Sequence, residues 1–237
     1  VAVTSWTRPP DQILTALDDL RDVDRPPAPQ AQPAAAGPAT DDTAHRAAPD
    51  RLDRVLLVGD SVMSQAYEHH RDEFAAAGVT TWFAGGPSTG PLSPQGSWLE
   101  QVEAWVAAEE IDVVVIEACC NYTMGSEERY VDADGTVVEP RSAAVLPAWE
   151  HEIRRLVAAA GDRGAHVALV RFGPVETNGW YGPLEDHVAA VDAMYDRLAA
   201  ELDVEIVDWA GVLAPAGHFT PELPVDGEPV TVRLEDG

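Results

Sequence analysis

The 237-residue chain contains no lysine. Its 15 basic residues are all arginines, and they stand against 41 aspartates and glutamates, for a net charge of −26. A surface that tracks phosphates needs the opposite sign, so nucleic acid and anionic lipid headgroups are poor partners. No window approaches 18 consecutive apolar residues, so this stretch does not span a membrane. Cysteine is nearly absent: Cys119 and Cys120 are adjacent and cannot build a disulfide framework, which leaves the redox compartment unreadable from them. There is no internal repeat, no phosphate loop and no dinucleotide fingerprint. The chain starts at Val1 without a basic-then-apolar leader and stops at Asp236-Gly237 without a closing element, so we expect a segment of a longer protein. What remains is ordinary globular material, 46% hydrophobic and 24% charged, which rules out wholesale disorder and collagen-like structure.

Residues 9–23 carry Ile13, Leu14, Leu17 and Leu20 on one helical face behind Pro9-Pro10, which predicts a short amphipathic helix. Residues 24–51 hold six prolines and nine alanines, with no Val, Ile, Leu or aromatic residue. Such a run buries too little surface to offset its ordering entropy, and reads as a linker or surface-draped arm. From Leu52 onward, apolar runs alternate with helical periodicity. Strands are predicted over 55–58, 79–84, 113–118, 167–172 and 204–207, and helices over 62–77, 98–108, 147–160 and 184–202. Residues 126–142 and 173–183 fit neither pattern and read as loops. The alternation predicts a three-layer α/β domain around a five-stranded, mainly parallel sheet.

Ligands of open α/β sheets sit at the carboxyl ends of the strands, so the residues after each strand are the candidates. Gly59-Asp60-Ser61 follows the first strand and opens a helix, the place for a nucleophile beside an amide at the positive helix end. The same Asp-Ser pair also makes a good helix cap. Gly85, Gly86 and Gly90 follow the second strand in a loop with approachable amides, or simply a tight turn. Asn121 follows the third strand, and is either a neutral donor for a developing oxyanion or a turn residue. Together these lie at one sheet edge in order.

That ordered set resembles the SGNH hydrolase superfamily, the GDSL-like esterases and acyltransferases. The resemblance covers residues 52–237 and implies a flavodoxin-like fold. It also implies Ser61 as nucleophile, an oxyanion hole of Ser61, Gly90 and Asn121 with Gly86 the alternative glycine, and no metal or organic cofactor. The third block departs from the family pattern, with Cys119 and Tyr122 where Gly and Asp are usual. Asp236-Gly237 resembles the start of the block that carries the catalytic aspartate and histidine, which puts Asp236 in the triad and the histidine just past Gly237. His218 lacks an Asp three residues before it and reads as a loop-surface histidine, with service as the base the alternative.

The wider layout is similar to extracytoplasmic domains fused to membrane acyltransferase-3 proteins. This implies an acylated substrate, a cell-surface glycan acceptor and a membrane acyltransferase domain in the same chain. The alternatives are a free-standing secreted esterase and a non-catalytic glycan-binding domain. Elsewhere, His69-His70 point apart on a helix, and His45, His151, His166 and His187 share no ligand spacing. Cys119 and Cys120 read as small buried residues, with a low-pKa thiol the alternative. Trp82, Trp180 and Tyr181 could line a sugar cleft or fold back onto the core.

Overall fold

Short β-branched runs form the centre of the fold. A computed structural model describes residues 52–93, 97–119, 121, 129–132, 135–176, 184–225 and 227–231. The chain divides into a unit up to Arg51 and a unit from Leu52 to Gly237. The helix expected at 9–23 and the linker at 24–51 lie outside the described residues.

The main sheet contains β1 (Arg54–Gly59), β2 (Thr80–Gly85), β3 (Val113–Ile116), β6 (His166–Arg171) and β7 (Glu205–Asp208). Their order is β2-β1-β3-β6-β7, and every pairing is parallel. The five expected strands and the α/β class are therefore present. Side chains alternate across the sheet with period two. Along β1, Leu56 and Val58 join the core beneath α2 (Trp98–Ala108), α3 (Val145–Gly161) and α4 (Glu185–Leu202). Val55 and Leu57 pack on the other face with Met63, Tyr67 and Phe74 of α1 (Ser61–Ala76). Helices thus cover both faces, as a parallel sheet requires. Trp82 packs against the core with its ring 6.1 Å from that of Trp105, so it folds inward.

Three features depart from or go beyond the expected pattern. Residues 130–138, expected as loop, contain a two-rung hairpin, β4 (Tyr130–Val131) and β5 (Val137–Val138). Two-residue strands are too short for a period to register. A second hairpin, β8 (Glu222–Val225) and β9 (Glu228–Thr231), follows the short helix α5 (Trp209–Leu213). Helix α3 begins at Val145, two residues before Pro147, because a proline in the first turn gives up only an amide that lacks a helical partner. Among the described residues, no helix is long and apolar enough to cross a membrane.

Candidate active site at the strand tips

Neighbouring strands β1 and β2 both end in glycine, and the two residues are in register. Neither position tolerates a side chain. A Cβ on Gly59 would lie 2.3 Å from the Met63 Cβ and 2.9 Å from Glu117 Oε2. One on Gly85, at φ +104°, would lie 2.1 Å from the Gly59 carbonyl oxygen. These glycines let the β1–α1 turn close tightly over the sheet edge. Asp60 caps α1, its Oδ1 accepting from the Val62 amide at 2.9 Å, and it is only 3% exposed. Ser61 is then the first helical residue, where backbone amides lack helical partners and the helix end is positive.

Asn121 joins three strand-end segments. Its Nδ2 donates to Asp60 Oδ2 at 2.8 Å and to the Thr89 carbonyl at 2.9 Å. The amide of the third segment therefore reaches the residue preceding Ser61. The β2–α2 loop is itself braced: Thr89 Oγ1 donates to the Gly86 carbonyl at 2.7 Å and accepts from the Trp98 indole at 2.9 Å. Gly90 is buried beside Asn121, an added Cβ lying 3.9 Å from the asparagine Cβ, and its amide donates to Ser93 Oγ at 2.7 Å. The Gly86 amide donates to the Gly59 carbonyl at 3.0 Å, and the glycine has open space around it.

The segment after β3 is anchored from α3 and α4. The Tyr195 hydroxyl donates to the Ala118 carbonyl at 3.0 Å and accepts from the Trp149 indole at 3.2 Å. His187 stands edge-on to Trp149, with ring centroids 5.5 Å apart. Burial lowers its pKa, opposed by a hydrogen bond with the Cys119 backbone. Cys119 is 1% exposed and disulfide-bonded, so its sulfur is no free thiol. The chain's other cysteine, Cys120, lies outside the described residues. Asp60, Glu117 and Cys119 bring one potential ligand atom each within 4.8 Å. A cysteine ligates a metal only as the thiolate, so the disulfide-bonded Cys119 leaves this group with two carboxyls.

Ser61, Gly90 and Asn121 are thus gathered at one edge of the sheet, while Asp236 lies outside the described residues. His218 is exposed, its Nδ1 3.2 Å from the Ala216 carbonyl. Trp180 and Tyr181 lie outside the described residues, as do the side chains of His69 and His70. Three contributions escaped the sequence: the Thr89 carbonyl, the Asp60 carboxylate as acceptor for Asn121, and Glu117. A carboxylate ending an otherwise apolar strand run was the one visible signal, at Glu117.

A family model described as a protein of unknown function, DUF459, matches residues 54–237. The chain belongs to this DUF459 family. No curated protein matches the DUF459 chain by sequence. Among solved structures, the domain is similar to a GDSL-like lipase of Bacteroides thetaiotaomicron, with TM-score 0.52 and 17% identity over 78% of this chain and 84% of the other. A protein of Bacteroides fragilis assigned as an acylhydrolase gives TM-score 0.52 and 18% identity over 70% and 71% of the two chains. One of Slackia heliotrinireducens assigned as an SGNH hydrolase gives 0.51 and 18% over 76% and 91%. The DUF459 domain shares the fold of these proteins.

Proposed function

We propose that the DUF459 domain cleaves acyl esters through a covalent intermediate on Ser61. The Ser61 hydroxyl attacks the ester carbonyl, and its proton passes to a histidine beyond Gly237 oriented by Asp236. The same imidazolium protonates the departing alkoxide, and water then releases the acyl group. The tetrahedral oxyanion is held by the amides of Ser61 and Gly90 and by the Asn121 side chain. The Gly90 amide rests on the neutral Ser93 hydroxyl and one Asn121 N–H on the neutral Thr89 carbonyl, while the other Asn121 N–H stays on Asp60. An oxyanion displaces the two neutral acceptors because charge-assisted hydrogen bonds are about twice as strong.

The observation that carries this reading is the Asn121 bridge to Asp60 and Thr89, which draws the ends of three strands around the Ser61 turn. The shared fold with GDSL-like and SGNH proteins supports it. In the finer form of the proposal, a sugar hydroxyl of a cell-surface glycan replaces water. The acyl donor is then supplied by a membrane acyltransferase domain of the same chain, at the extracytoplasmic face.

The test is turnover of p-nitrophenyl acetate by the protein with its natural continuation past Gly237. Ser61→Ala is expected to lower kcat by at least about 10³-fold. Equal rates for the two proteins would contradict the proposal. Adding a soluble sugar acceptor and measuring the split between free acetate and sugar ester distinguishes hydrolysis from transfer.

A further inference from the structure

Glu117 is fully buried at the end of β3, directly beneath the turn that presents Ser61. Its amide donates to the Val58 carbonyl at 2.8 Å, which locks it alongside the tip of β1. Its Oε2 accepts from the Asp60 amide at 3.4 Å, and its carboxyl is also hydrogen-bonded by the Met63 amide. Oε1 has no partner among the described residues. Only the missing side chain of Gly59 makes room for this carboxyl. A carboxyl this deeply buried, with one oxygen lacking a partner, is costly to desolvate and points to a local role.

We infer that Glu117 is a positioning residue: from beneath the β1–α1 turn it fixes Asp60, and through Asp60 the Asn121 amide that holds the oxyanion. This rests on Ser61 being the nucleophile. Two carboxyls this close in a dry interior do not both ionise. Burial, then the neighbouring Asp60 charge, pushes Glu117 well above the ordinary carboxyl range. Burial raises Asp60 too, but the Val62 amide and a hydrogen bond from Glu117 favour its charged form. Glu117 therefore holds the proton and Asp60 the charge, which keeps both Asp60 oxygens as acceptors for Val62 and Asn121. The other groups facing Glu117 do not compete for this proton. Cys119 is disulfide-bonded, and the Tyr195 hydroxyl from α4 is held far above its usual range by burial.

The inference is tested on the full-length protein that carries this domain, by measuring kcat and KM for p-nitrophenyl acetate from acid to alkaline pH. Wild type should lose kcat as pH rises through the ionisation of Glu117, above the ordinary carboxyl range. Glu117→Gln, neutral and of the same shape, should keep the kcat that wild type shows below that ionisation and lack the fall above it. Glu117→Leu leaves the Asp60 and Met63 amides without an acceptor, and should lower kcat about tenfold or more at unchanged KM.

Stability gives a second reading that needs no activity. A carboxyl whose pKa is raised on folding stabilises fully below its unfolded pKa, and that contribution is lost as pH rises through the folded one. The wild-type thermal midpoint should therefore fall across this window more steeply than that of Glu117→Gln, which decides the matter if Glu117→Leu does not fold. A folded Glu117→Leu with wild-type kcat, or matching pH profiles of wild type and Glu117→Gln, would overturn the inference while leaving Ser61 as nucleophile. If Ser61→Ala retained full activity, the nucleophile reading and this inference would both be overturned.

Discussion

Asn121 does two jobs with one amide. Its two N–H groups tie Asp60 to Thr89, and under the proposed mechanism one of them turns to the oxyanion. Removing it should therefore harm both chemistry and order. Asn121→Ala is expected to lower kcat by about 10²–10³-fold, the usual loss for one oxyanion donor, with KM changed far less. Steady-state kinetics on p-nitrophenyl acetate checks this, and a loss confined to KM would contradict it. Much of this residue-scale picture was legible beforehand, because Gly59-Asp60-Ser61 and Asn121 fall directly after apolar strand runs. The partners were not. Thr89 contributes through its carbonyl, which any residue would supply, so no side-chain pattern marks it.

At the scale of elements, the site depends on how closely the tips of β1 and β2 approach. Gly85 holds a left-handed backbone and sits against the Gly59 carbonyl, so Gly85→Ala adds both backbone strain and a clash. Such changes cost about 1–3 kcal/mol each, and a lowered thermal midpoint with reduced kcat is the expected result. An unchanged midpoint would mean the tips have room the structure does not show. The five strands were readable as apolar runs, as in Val113–Ile116, and the four long helices from their period. The β4–β5 hairpin was not, since its pairing depends on contacts across Asp132 and Gly135 rather than on pattern. There the Asp132 carboxylate accepts from the Thr136 amide at 2.8 Å.

Over the whole molecule, the net charge of −26 is carried without a single lysine. Part of it is neutralised locally, as where Arg154 and Arg197 join Glu150 and Glu201 across α3 and α4. The remainder repels itself, which loosens the compact state. Raising ionic strength from about 0.01 M to 0.15 M shortens the Debye length from roughly 30 to 8 Å. We therefore expect the urea midpoint at neutral pH to rise with salt, and a falling midpoint would show that the arginine bridges outweigh the repulsion.

The most direct measurement of the central claim is covalent capture of the nucleophile. The full-length protein that carries this domain is incubated with a fluorophosphonate and its peptides are read by mass spectrometry. A single adduct on Ser61, absent in Ser61→Ala and slowed in Asn121→Ala, is the predicted result. Labelling at another residue, or equal labelling of the wild-type and Ser61→Ala proteins, would contradict the account.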